Sequence, residues 1–165
     1  PNGPGVYFHS LDADDRLGVA VARGLFRLPY YRAETDVRRT AASGGGATDA
    51  DGAGRSVRFS SRRVHEGVPH ARFDATYAPT GEAFTPEPGS LPAFLLENYR
   101  FYTAGEGGRL YVGEIDHDPW TLRPADAEIR ANTLFAANGF DRPDGDPILH
   151  YAEPLAVTAD RLRRV

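Results

Sequence analysis

Leu28-Pro29-Tyr30-Tyr31-Arg32-Ala33-Glu34-Thr35-Asp36-Val37-Arg38 holds the change of pattern that decides the fold. Before it, Leu17, Val21, Leu25 and Leu28 recur at the spacing of one helix face, which predicts an amphipathic helix over Asp14 to Arg27. Asp12 to Asp15 offers an N-cap and acidic first-turn charge. Pro29 ends the helix, because its ring removes an N–H and clashes with the preceding turn. After it, Tyr31, Ala33, Thr35 and Val37 alternate with Arg32, Glu34, Asp36 and Arg38, the period of a half-buried strand.

Working outward, Gly5 to Leu11 reads as an aromatic and β-branched strand. Ala41 to Gly54 has no large apolar residue and is expected to be a flexible loop inserted in a hairpin. Arg55 to Val64 and His70 to Ala78 are two more strands, joined by a turn at Glu66 to Pro69. Ser90 is placed to cap a short helix ending at Glu97, with Pro92 tolerated in its first turn. Tyr99 to Thr103 and Arg109 to His117 form a pair across the Gly-rich turn at Gly105 to Gly108. Pro124 to Ala137 reads as a second long amphipathic helix, with Ile129 and Leu134 toward the core. Ile148 to Ala152 and Leu155 to Leu162 form a last strand or bent pair, with Pro154 at the bend. The sum is an α+β protein. Seven or eight mostly antiparallel strands make a curved sheet or partial barrel, with two or three helices.

The chain has 165 residues, enough for one domain with its own core, and 1–165 is read as a single domain. Its composition, 41% hydrophobic and 25% charged, is that of a globular protein. Charges interrupt every apolar run, so no bilayer span is expected. Pro1 to Ser10 lacks a leader pattern, and a cytoplasmic location is the expectation. The net charge of −4 argues against nucleic acid as a partner. All 19 basic residues are arginine and there is no cysteine, which closes imine chemistry on lysine and thiolate chemistry on cysteine. No methionine stands at the start, so the chain is expected to begin inside a longer gene product that supplies an N-terminal region.

Four groups of residues could carry chemistry. Tyr30 and Tyr31 enter a strand side by side, so they face opposite ways and at most one is core. Arg58, Ser60 and Arg62 share one strand face, and Arg72, Asp74 and Thr76 share a face of the next. Turned into a cleft, these arginines would suit a carboxylate; turned to water, they form cross-strand pairs. Glu114, Asp116 and Asp118 alternate onto one face, yet no second ligand cluster accompanies them, so neither a metal nor a cofactor is expected. His117 and Trp120 suit a pocket edge, with core packing the alternative for Trp120. The serines lack a nucleophile-elbow context, and Gly44 to Gly46 fit no phosphate-binding loop. Pro1, as a terminal amine base, sits in a turn-like stretch that disfavours the role.

Gly5 to Ala13, Leu28 to Ala33, Pro86 to Leu91, Phe94-Leu95, Glu97, Tyr99, Tyr102-Thr103, Gly113 to Ile115, Pro119-Trp120 and Leu122 together resemble the YqjF-like proteins (domain of unknown function 2071). The match runs in order over nearly the whole chain, with His9 and Ala41 to Gly54 departing from it. That family is in turn similar in fold to acetoacetate decarboxylase, which implies a partial barrel around a small-molecule pocket. Pro29-Tyr30-Tyr31 stands where the decarboxylases carry Pro-Lys-Lys, so Tyr30 would take the place of the Schiff-base lysine. A phenol cannot form an imine, and decarboxylation by that route is closed.

Two functions follow as expectations. One is a pocket for a small carboxylate or carbonyl ligand, with Tyr30 as donor or general acid, Arg32 or Arg58 as anion partner, and Glu114 as base. Arg62, Arg72, Tyr102, His117 and Trp120 complete its candidate residues. The other is a non-catalytic binding or interaction module with a filled core. An exposed sheet edge predicts a homodimer or edge-to-edge pairing.

Overall fold

A computed structural model describes residues 3–41 and 55–165 of the chain. Pro1 and most of the expected loop, residues 42–54, lie outside them. The described residues form an α+β protein with three α-helices and mostly antiparallel strands, in two compact units.

The first unit comprises residues 1–32, 85–120 and 154–165. Its sheet runs β1 (Val6–Tyr7), β6 (Arg100–Ala104), β7 (Leu110–Asp116), with β10 (Thr158–Ala159) and β11 (Arg163–Arg164) on successive stretches of β7. β1 pairs in parallel with β6, and β6 pairs antiparallel with β7, Phe101 opposite Gly113. The turn between β6 and β7 is a short 3-10 helix, Glu106–Gly108, where Gly107 and Gly108 take positive φ of 69° and 71°.

Helix α1 spans Arg16–Leu25. Asp15 caps it, its Oδ1 accepting from Leu17 N at 2.9 Å. Past its end, Arg27 takes φ 52°, a left-handed conformation costly for a residue with a Cβ. Two contacts hold that bend. The Arg27 carbonyl accepts from Thr103 Oγ1 at 2.6 Å, and its guanidinium lies 5.0 Å from the Tyr111 ring centre. The chain then enters β3 (Tyr30–Ala41), whose start lies beside β2 (Leu11–Ala13) and pairs with it in parallel. Helix α2, Leu91–Leu96, is capped by Ser90 as its sequence predicts. Val19, Ala93, Phe101 and Val112 are the buried apolar residues of this unit.

The second unit comprises residues 33–84 and 121–153. It carries the long part of β3 (Tyr30–Ala41), then β4 (Arg55–Arg63), β5 (Arg72–Pro79), β8 (Leu122–Asn132) and β9 (His150–Ala152), neighbours in that order and all antiparallel. Among its described residues, Ala33, Val57, Ala71, Ala75 and Leu122 are the buried apolar ones.

Three expectations are corrected. The long helix predicted over Pro124 to Ala137 is the strand β8, followed by the four-residue helix α3, Leu134–Ala137. Five alanines and a proline suited to a first helical turn suggest a helix. Yet Ala125, Ala127, Ile129 and Ala131 are turned inward while Asp126, Glu128 and Arg130 are exposed, which is period two. Ladder pairing with β5 from Phe73 to Pro79 outweighs alanine's modest helix preference. The predicted last strand pair is divided. β9 joins β8, and after Pro154, where the first unit resumes, β10 and β11 join β7. The described strands number eleven rather than seven or eight, because several pair over only two or three residues.

Candidate functional site

The first unit encloses a cavity of about 690 Å³ between α1, α2, β1, β6 and the end of β7. Phe8, Leu11, Phe26, Leu28, Phe101 and Ile115 are among its apolar walls. Val21, Leu95 and Val157 also line it and are 45%, 56% and 51% exposed, so this side opens to solvent. Its polar lining consists of Tyr30, Asn98, His117 and Trp120; among the described residues that line it, none bears a carboxylate or guanidinium.

Tyr30 reaches this wall because β3 starts there. Its N–H donates to Leu28 O, and its carbonyl accepts from Arg23 Nη1 at 2.9 Å. Tyr31, one residue on, points to the other face, where the Arg23 guanidinium lies 5.5 Å from its ring centre. The Tyr30 hydroxyl makes no hydrogen bond to any described residue.

His117 and Trp120 are fixed by a small network after α2. The Tyr99 ring stacks on His117 at 4.6 Å between centres, and His117 lies 5.6 Å from Trp120. The Tyr99 hydroxyl donates to Glu97 Oε2 at 2.5 Å, and Trp120 N donates to Glu97 Oε1 at 3.3 Å. The Glu97 carboxylate holds the Tyr99 proton, and partial burial adds to it, so the phenol is pushed up to about 12. Asn98 donates through Nδ2 to Phe94 O at 2.6 Å. Glu97, Asn98 and Tyr99 are site residues that pattern reading missed as a group; their one signal is a polar-aromatic triplet directly after a capped helix.

The other predicted residues stand elsewhere. Tyr102 donates its hydroxyl to Gly3 O at 2.5 Å. Glu114 sits between Arg100 at 3.0 Å and Arg163 at 2.8 Å. Arg100 in particular holds that carboxyl below its ordinary range, against the opposing effect of burial. Arg32 is half-buried in β3 opposite Ala13. Among the described residues no cluster of three or more His, Asp or Glu side chains could hold a metal ion, including around Glu114, Asp116 and Asp118.

Arg58, Arg62 and Arg72 belong to the second unit and share one sheet face with Asp74 and Arg130. Arg62 pairs with Glu34 at 2.5 Å. Asp74, only 4% exposed, accepts from Arg130 Nε at 2.9 Å and Arg72 Nη2 at 3.2 Å, with Arg58 at 3.7 Å. Arg130 reaches it because the β5–β8 register shifts at this point, leaving Arg130 as the extra residue between Ile129 and Ala131. The Arg130 hydrogen bonds, above the opposing desolvation, hold the Asp74 carboxyl below its ordinary range; Arg72 and Arg58 add to the effect. The stability this carboxylate supplies is therefore complete above the ordinary carboxylate range and is lost as pH falls through the depressed value. Asp74→Asn is expected to lower the melting temperature at pH 7, and the gap to the parent should narrow steadily below pH 4. A gap unchanged down to pH 2 would refute the assignment.

No helix among the described residues is long and apolar enough to cross a membrane. No solved structure matches the chain. A protein of Bacillus subtilis (strain 168) named "Uncharacterized protein YqjF" is 39% identical over 161 residues, which cover 98% of this chain and 60% of that protein. The chain thus spans about 60% of the length of that relative. The family model DUF2071, described as an uncharacterized conserved protein, matches residues 2–156, and the chain belongs to this family.

Proposed function

We propose that the cavity of the first unit takes a neutral, mainly apolar small molecule and holds its carbonyl oxygen with the Tyr30 phenol. The observation that carries this reading is a tyrosine on the wall of a mainly apolar cavity, its hydroxyl without a partner among the described residues. The resemblance to acetoacetate decarboxylase supports it, since Tyr30 would there take the place of the lysine that meets a keto group. The phenol would bind that group by a hydrogen bond and form no covalent bond. A carboxylate suits the cavity less well. Burying one beside no guanidinium would leave an uncompensated charge, and Arg58 and Arg72 are engaged with Asp74.

Trp120 is the one tryptophan of the chain and lines the cavity, so its emission reports occupancy directly. Titration with 4-phenylbutan-2-one is expected to change that emission saturably. Tyr30→Phe should weaken binding about fivefold, the loss of one net hydrogen bond. An emission insensitive to the ketone at millimolar concentration, or equal affinity in Tyr30→Phe, would sink the reading.

One observation favours a second reading, an interaction module. Leu17 and Leu25 of α1 and Phe94 of α2 are 74%, 63% and 71% exposed. Apolar helix faces left in water mark contact surfaces for another polypeptide, a second copy included. A dimeric mass by light scattering, reduced to the monomer by Leu17→Asp, together with no ketone response, would select it.

A further inference from the structure

Resting on the cavity reading above, we infer that the ligand also presents a hydrogen-bond donor, a hydroxyl or an amine, and that Nε2 of His117 accepts it. The argument starts from the imidazole's other nitrogen. His117 Nδ1 lies 2.8 Å from the carbonyl oxygen of Asp118. A carbonyl oxygen can only accept, so Nδ1 must carry the proton. A neutral imidazole has one N–H, and Nε2 is then the lone-pair atom.

The ring cannot easily turn to exchange the two nitrogens. Tyr99 stacks on it with planes 25° apart, and Trp120 closes on it at 58°. Tyr99 is itself anchored through Glu97, which also receives the Trp120 N–H. The tautomer is thus set by one backbone carbonyl and the orientation by two rings, an arrangement that preorganises a single acceptor.

That acceptor is unused within the protein. Nε2 has no hydrogen-bond partner among the described residues, while His117 is half-buried and lines the cavity. Asn98 adds to the same bias. One N–H of its amide donates to Phe94 O at 2.6 Å, and its Oδ1 accepts from no described residue. Two acceptors, His117 Nε2 and Asn98 Oδ1, therefore stand on the polar lining, with the Tyr30 hydroxyl, the Trp120 indole N–H and one Asn98 N–H as donors. A ligand with oxygen acceptors alone can satisfy Tyr30 and leaves His117 Nε2 desolvated and unpaired. A site built to hydrogen-bond an O–H or N–H discriminates strongly against the analogue that lacks it. The ligand class is accordingly an apolar hydroxy-ketone or amino-ketone rather than a simple ketone or ether.

Trp120 emission in the 165-residue chain tests this with three probes of one skeleton: 4-phenylbutan-2-ol, its methyl ether and 4-phenylbutan-2-one. The alcohol is expected to bind about tenfold tighter than the methyl ether in the parent protein, a comparison that needs no variant. In His117→Phe, which keeps an aromatic ring between Tyr99 and Trp120, that preference should fall to within about twofold. Equal binding of alcohol and ether, in a protein that does bind the ketone, overturns the role of His117 and leaves the cavity reading standing. An alcohol preference that survives His117→Phe also overturns it. Failure of all three probes to bind overturns the cavity reading and this inference with it.

Discussion

Gly113→Ala is expected to destabilise the protein by about 3 kcal/mol, an unusually large effect for adding one methyl group. A Cβ at Gly113 would lie 2.5 Å from Cε1 of Phe101 and closer still to its Cζ. The two residues are direct partners in the β6–β7 ladder, so neither backbone can withdraw without breaking hydrogen bonds. Phe101 is 4% exposed, and its ring has no solvent to swing into. For a chain of this length the loss corresponds to a fall of about 6–12 °C in melting temperature. Because Phe101 also lines the cavity, a displaced ring should weaken ketone binding. Thermal melts of the double variant Gly113→Ala, Phe101→Ala provide the check. Its loss should be well below the sum of the two single losses, because the ring that clashes is gone. Strict additivity would show that the collision is not the cause.

Leu122→Ala is expected to cost about 3 kcal/mol by a different mechanism, the opening of a cavity. Leu122 is 2% exposed and opens β8, where it pairs with Ala152 of β9 and forms a bridge with Phe84. Both of its ladder hydrogen bonds with Phe84 are 2.8 Å, so the backbone is pinned and cannot collapse into the space left by the side chain. Leu122→Val, a smaller deletion, should cost about 1 kcal/mol. Urea denaturation of the pair measures this directly. Near-equal midpoints for the Ala variant and the parent would mean that the site relaxes freely.

Much of the sheet could be read from alternation, because β3, β4 and β5 each place small or apolar residues opposite charged ones. The helix caps Asp15 and Ser90 were legible for a local reason: one side-chain oxygen meets an amide two or three residues ahead. β8 was misread because alanine alternating with acidic residues satisfies both a helical and a strand pattern over short windows. Only the partner strand Arg72–Pro79, about fifty residues earlier, decides between them. The site divides along the same line. Tyr30, His117 and Trp120 stand out as aromatic residues at element ends, and the structure brings them to one cavity. The arginines are equally conspicuous in sequence. What no pattern discloses is the register shift that hands Arg130 to Asp74, a carboxylate that Arg58 and Arg72 also reach. Asn98 and the apolar walls were illegible because their role depends on which surfaces the fold leaves open.

The interleaving of the two units along the chain has a kinetic consequence. During synthesis Val6 and Tyr7 must wait for Phe101 and Tyr102 before β1 has a partner. The first unit receives its last strand pairings only when Thr158 to Arg164 emerge. The second unit can close its sheet as soon as His150–Ala152 has been made. Such widely separated pairings delay the rewarding contacts until after long loops have been closed, and folding is correspondingly slow. On the ribosome the second unit therefore has the earlier opportunity to fold. The apolar cavity residues of the first stay open longest to chaperones and to aggregation.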